Sequence, residues 1–190
     1  MPIVRGCQID VLIPADEIAR RNRQLAKDIA SGEFHDLLVI SILKGSFVFA
    51  ADLIRCMHDA GLSPEVEFIL ISSYGAGTEG GPVTILRDID ANVEGRDVLL
   101  IDDILESGHT LKFTRDLVLG RGARSVSMAV LLDKRGRRRP NIEAQFVGFA
   151  CPDLFVVGYG MDFAHTFREL PYVGVIRGKT SKSQPGQASG

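Results

Sequence analysis

Cysteine is scarce and scattered in this chain. Cys7, Cys56 and Cys151 form no C-x-x-C pair, and an odd number so widely spaced argues against both a disulfide framework and a zinc site. No apolar run reaches the roughly 18 residues of a membrane span. The opening stretch, MPIVRGCQID, has no apolar signal core before its first charges, so the expected address is the cytoplasm. No charge of one sign dominates. With a net charge of −2, no global positive field draws the chain to nucleic acid or an anionic membrane. An anionic ligand must be caught by local features. Internal repeats are missing, and so is the Walker A pattern G-x-x-x-x-G-K-[ST]. GAGTEG at Gly75 to Gly80 has the wrong spacing for a dinucleotide fingerprint and reads as a mobile loop.

What is present suits one globular domain. The hydrophobic share is 45% and the charged share 24%, over a length that can bury a core unaided. Residues 1–178 are expected to form that domain. Lys179 to Gly190, KTSKSQPGQASG, lacks large apolar residues and is expected to be a loose tail. Pro14 to Ala30 reads as a helix with Ile18, Leu25 and Ile29 on one face. Leu37 to Leu43 is a continuous apolar strand. A helix follows over Gly45 to Ala60, with Phe47, Ala50, Ala51, Ile54 and Met57 at helical spacing. Further strands are expected at Val66 to Ser72, Val98 to Ile101, Val126 to Leu132, Phe146 to Phe149 and Phe155 to Val157, and a helix from about Thr110 to Leu119. Continuous apolar strands imply a sheet covered on both faces, and the alternation with helices implies a mostly parallel one. Such α/β sheets bind ligands at the carboxyl ends of their strands.

The end at Ile101 carries the most chemistry. Asp102 and Asp103 follow at once, then Ile104 and Leu105, then Glu106-Ser107-Gly108-His109-Thr110 and a helix. Gly108 lets backbone approach a ligand, Ser107 and Thr110 supply hydroxyls, and the N–H groups of the helix start attract an anion. The loop is a phosphate cradle beside a carboxylate pair that can hold Mg2+ or accept from sugar hydroxyls. The same residues also fit an acidic turn with a Ser or Thr helix cap.

The segment VLLIDDILESGHTL, Val98 to Leu111, resembles the phosphoribosyl-pyrophosphate signature. The chain resembles the hypoxanthine/guanine branch of the phosphoribosyltransferases from about Leu12 to Val175. The supporting stretches are LKGSFVFAADL at Leu43, SSYGAG at Ser72, LLDK at Leu131, VGF-x-x-PD-x-FVVGYGMD at Val147 to Asp162, and FREL at Phe167. Each string alone is weak; their order and spacing together are specific. The resemblance implies a type I phosphoribosyltransferase fold: a central, mostly parallel sheet flanked by helices, with a small hood formed by terminal segments. It also implies transfer of ribose 5-phosphate from phosphoribosyl pyrophosphate to N9 of a 6-oxopurine with Mg2+, by a homodimer or homotetramer.

By that resemblance, Asp102 and Asp103 contact the ribose hydroxyls and the metal. Ser107, Gly108, His109 and Thr110 hold the 5-phosphate, and Lys44 and Gly45 bind pyrophosphate after a Leu43–Lys44 peptide that can be cis. Ser73 and Tyr74 open a closing loop. Lys134 donates to the purine O6, Phe155 stacks on the base, and Val156 meets the base edge through its backbone. Asp162 is a further metal-site carboxylate, and Arg168 binds pyrophosphate. Residue types alone leave plainer readings open: Lys44-Gly45 as a turn, Gly75 to Pro82 as a surface hairpin, Lys134 as the start of the solvated run KRGRRR, and Phe155 and Val156 as core. Glu106 departs from the pattern, because that position is usually the aspartate that meets N7 and accepts its proton. Glu keeps the carboxylate on a chain one methylene longer. Two other functions compete: a nucleotide-sensing regulator of the same fold that binds nucleic acid through Lys134 to Arg139, and a transferase acting on pyrimidine or xanthine. Lys134, Phe155 and Asp162 argue against pyrimidine.

Overall fold

A computed structural model of the chain describes residues 2–73, 83–137 and 142–177. In chain order the elements are β1 (Ile3–Val4), β2 (Cys7–Ile13), α1 (Ala15–Ala30), β3 (Leu38–Leu43), α2 (Phe47–Asp59), β4 (Glu65–Ser73) and β5 (Val83–Arg87). They continue with β6 (Asp97–Leu105), α3 (His109–Gly120), β7 (Ser125–Asp133), β8 (Phe146–Ala150), β9 (Val156–Val157) and β10 (Val173–Ile176). The main sheet has the order β5-β4-β3-β6-β7-β8, parallel except for β5, which pairs antiparallel with β4. A second sheet, β1-β2-β10-β9, is antiparallel and joins both ends of the chain. It is the expected hood, with its own small core of Ile9, Val157, Phe167, Leu170 and Ile176.

The uninterrupted apolar strands are explained by what covers them. Val39, Leu99 and Leu131 pack against α1 and α2 through Ile18, Leu25, Phe49 and Leu53. Their sequence neighbours Leu38, Leu100 and Val130 point the other way, to Leu111 and Val118 of α3. Strand side chains alternate faces, so both layers require apolar residues.

Two boundaries differ from expectation in ways that matter. The strand expected to stop at Ile101 runs on to Leu105, because Asp102, Ile104 and Leu105 stay paired with Val130, Leu132 and Asp133. The aspartates therefore sit on a strand rather than in the loop after it. In α2 the buried face is Phe49, Ala50, Leu53 and Met57, while Phe47 is exposed. The helix begins at Phe47, so the Lys44-Gly45-Ser46 turn is free to form the rim of the cleft described next. The expected tail at Lys179 to Gly190 lies outside the described residues.

Candidate active site

A cleft of about 280 Å³ opens at the carboxyl ends of β3 and β6, with Lys44, Gly45, Asp103, Glu106 and the Ser107 to Thr110 loop in its wall. A larger hollow of about 600 Å³ lies over α1 and α2, lined by residues such as Asn22, Asp52 and Cys56. It lacks the strand-end position that brings backbone N–H groups and carboxylates together, so size does not make it the site.

Asp102 is buried and Asp103 half-buried, side by side at the end of β6. The Asp102 carboxylate accepts from the Asp103 N–H at 2.9 Å, and Asp103 accepts from the Ile104 N–H at 2.7 Å. Burial, and then the charge of Asp103, push the Asp102 carboxyl above the usual carboxylate range. Burial also pushes Asp103 up, against the charge of Arg168, which favours its ionised form. Two buried carboxylates in contact resist double ionisation unless a cation joins them.

The β3–α2 turn is fitted to this pair. A Cβ on Gly45 would lie 1.8 Å from Asp103 Oδ2, so only glycine lets the backbone pass. The Leu43–Lys44 peptide is cis, as the resemblance implies. Ser46 anchors the turn from beneath: its hydroxyl lies 2.8 Å from that of Ser41 and donates to the Ile42 carbonyl. Lys44 is exposed at the rim.

At the other wall, Gly108 starts α3 with φ +79, a left-handed conformation that costs other residues more. No side chain caps the helix. The N–H groups of its first turn, at His109, Thr110 and Leu111, have no carbonyl a turn earlier within the helix, which makes this an anion-binding end. The Ser107 hydroxyl oxygen lies 3.5 Å from the His109 N–H, at the long limit of a hydrogen bond.

Lys134 is buried, with 4% of its side chain exposed, and its Nζ lies 3.0 Å from both Glu106 Oε1 and Asp153 Oδ1. It is therefore not the first member of a solvated basic run. Arg135 pairs with Asp133, and Arg138 and Arg139 lie outside the described residues. The Phe155 ring is held edge-on by Phe163, centroids 5.7 Å apart. Val156 is buried at the start of β9, in keeping with the core reading. Cys151 faces the Lys134 cluster, and burial pushes its thiol up, away from the thiolate a nucleophile needs.

Arg168 and Asp162 come from the loop between β9 and β10. Arg168 lies 2.7 Å from the Asp162 carboxylate, and it donates to the Gly160 carbonyl at 2.6 Å. Asp162 also accepts from the His165 N–H at 2.8 Å. A Cβ on Gly160 would lie 2.2 Å from the Gly45 carbonyl, so this loop rests on the β3–α2 turn. Tyr159 ties the same loop to the helices. It accepts from Asn22 Nδ2 at 2.9 Å and donates to Asp52, and burial pushes its hydroxyl well up. Sequence reasoning missed Ser46, Asp153, Tyr159 and Gly160. The only signal for them was their position inside the quoted stretches.

Ser73 ends β4, whereas Tyr74 and the expected lid at Gly75 to Pro82 lie outside the described residues. Among the described residues, no three acidic, histidine or cysteine side chains converge on one point. Asp102 and Asp103 supply two hard oxygen ligands, and Asp162 stands apart from them. That donor set fits Mg2+, which takes one or two carboxylates and completes its shell with substrate phosphates and water.

The phosphoribosyl transferase domain family matches residues 12–164. The hypoxanthine-guanine phosphoribosyltransferase of Bacillus subtilis (strain 168) is 45% identical over 170 residues, covering 88% of this chain and 92% of that protein. The bifunctional protein TilS/HprT of Listeria innocua is 46% identical over 169 residues, or 88% of this chain. The chain spans only 26% of the length of that relative. A crystal structure of a hypoxanthine phosphoribosyltransferase from Staphylococcus aureus superposes with a TM-score of 0.82 at 39% identity, covering 88% of this chain and 91% of that one.

Proposed function

The chain belongs to the phosphoribosyltransferase family, and from that premise we propose that it is a purine salvage enzyme. It joins hypoxanthine, and guanine as a second base, to phosphoribosyl pyrophosphate, giving the nucleoside 5′-monophosphate and pyrophosphate. The observation that carries this reading is the buried Lys134 held between Glu106 and Asp153, with Glu106 itself in the wall of the cleft that contains the acidic pair. An ammonium donor there matches a 6-oxo group and mismatches a 6-amino group. No observation favours the nucleic-acid-binding alternative.

Chemically, a bond forms between C1′ and N9 while the C1′–oxygen bond to pyrophosphate breaks, its electron pair leaving with that oxygen. The imidazole ring of the purine gives up one proton. Asp102 and Asp103 orient the ribose hydroxyls, and the N–H groups at the start of α3 with Ser107 and Thr110 grip the 5-phosphate. Lys44, Gly45 and Arg168 meet the leaving pyrophosphate. Glu106 accepts the purine proton at N7. Phe155 stacks on the base, and Val156 contacts its edge. Mg2+, held by Asp102 and Asp103 with Asp162 as a separate carboxylate position, would neutralise charge on the pyrophosphate. Ser73 and Tyr74 would begin the segment that closes over the substrates and excludes water from C1′. Among the described residues no helix is long and apolar enough to cross a membrane. A cytoplasmic homodimer or homotetramer completes the proposal.

Steady-state kinetics with hypoxanthine, guanine and xanthine, each with phosphoribosyl pyrophosphate and Mg2+, test it. Turnover of hypoxanthine that stops on chelation is expected. No turnover of any of the three bases would overturn it.

A further inference from the structure

Lys134 has two carboxylates at the same distance, and the proposed reaction uses only one of them. This asymmetry has a consequence. A buried ammonium must stay paired, because removing its only counter-charge leaves an uncompensated charge out of water. Glu106 is a poor permanent partner. As proton acceptor it must turn towards the purine ring, and on taking the proton it becomes neutral. At that moment Lys134 would lose the Glu106 charge while it holds the base.

Asp153 is placed to prevent this. It lies on the connection from β8 in the main sheet to β9 in the hood, two residues before Phe155. The connection is fixed at its start, where the Cys151 N–H donates to the Asp133 carbonyl at 2.8 Å, and across a tight turn, where Leu154 N–H donates to the Pro152 carbonyl at 2.7 Å. Gly136 packs on its other side, where an added Cβ would lie 3.6 Å from Asp153 Cβ. Lys134 is itself held from its backbone, its N–H donating to the Leu105 carbonyl at 2.9 Å. The Asp153 side chain is 47% exposed, so its carboxylate keeps part of its hydration while it pairs with Lys134.

We propose that Asp153 is a positioning residue for purine recognition: it holds Lys134 aimed at the 6-oxo group while Glu106 leaves to accept the proton. This rests on the salvage reading above. The same short connection carries Phe155, so the ion pair also sets the stacking ring and the O6 donor relative to each other. A carboxylate at this position is thus a specificity element that never touches the reacting atoms.

The test compares the wild-type enzyme with Asp153→Asn, Asp153→Glu and, as a control on the same turn, Leu154→Ser. Asp153→Asn is expected to raise KM for hypoxanthine at least about tenfold while KM for phosphoribosyl pyrophosphate stays within about twofold, a loss of roughly one charge-assisted bond. Its ratio of kcat/KM for hypoxanthine over adenine should fall. Asp153→Glu should recover most of the loss, and Leu154→Ser should match wild type. A general loosening of the fold would instead raise both KM values together, and that result overturns the inference. So does an Asp153→Asn enzyme with an unchanged hypoxanthine KM. An inactive wild-type enzyme contradicts the salvage reading itself and is distinguishable from either outcome.

Discussion

The two ends of β6 carry aspartates in opposite circumstances. Where the strand enters the sheet, Asp97 is buried and every approach to it is a donor. Arg124 gives it two hydrogen bonds, one of 2.8 Å, Ser125 gives one at 2.6 Å, and the His35 N–H gives another at 2.6 Å. The Arg124 guanidinium holds that carboxyl far below the usual range, with the His35 and Ser125 bonds adding to it. Where the strand leaves the sheet, Asp102 and Asp103 accept from the local N–H groups of Asp103 and Ile104 and lie against each other, and burial raises both. One end is closed on itself. The other is left with charge to offset, in a cleft beside a helix start and a glycine turn. Satisfied carboxylates stabilise a fold, whereas crowded, raised ones mark a site that a ligand completes.

The sharpest way to break this comparison lies at the ligand end. Glu106→Gln keeps the shape beside Lys134 and removes the proton acceptor, so kcat for hypoxanthine should fall by about 10²–10⁴-fold with little change in unfolding midpoint. Undiminished turnover would leave Glu106 only a loop support. Gly45→Ala should cost about 10²-fold in kcat/KM for phosphoribosyl pyrophosphate, because the new methyl group displaces either Asp103 or the pyrophosphate turn, and misplacement of order 1 Å is that expensive. A normal KM and kcat in that variant would show that the turn yields.

At the closed end the expected effect is on stability alone. Asp97→Asn should lower unfolding free energy by about 2 kcal/mol through lost charge-assisted bonds, with kcat per folded molecule unchanged. Its pH dependence has a definite sign. The folded Asp97 carboxyl titrates below its unfolded value of about 3.9, so its stabilisation is complete above that value and is lost as the pH falls further. Urea unfolding of wild type and variant should therefore differ constantly from pH 7 to about 5 and converge below about 4. The acidic pair should show the reverse. Its folded values are raised, so its penalty is full above them and fades as the pH falls towards about 4.

Much of this was legible in the sequence because periodicity reports burial. The runs at Leu38 to Leu43 and Val98 to Ile101 are apolar at every position but Ser41, as a sheet covered on both faces requires. Of the hood strands, β9 alone was legible, as the short apolar run Phe155 to Val157; β1, β2 and β10 were not expected, and the hood itself followed from the resemblance. The end of β6 was misplaced because two aspartates look like a turn. Their strand geometry comes from pairing with β7, a long-range fact that no local pattern carries. Lys134 headed a basic run in sequence, and its burial depends on Asp153, which only the β8–β9 connection brings near.

The most direct measurement pairs stability with activity in the Asp102→Asn/Asp103→Asn double variant, assayed in chelator for unfolding and with Mg2+ for turnover. The account predicts an unfolding free energy at pH 7 higher by about 1 kcal/mol, as expected when a buried like-charged pair is neutralised, and a kcat lower by at least about 10²-fold. A double variant that is less stable than wild type, or one that still turns over hypoxanthine at the wild-type rate, would contradict it.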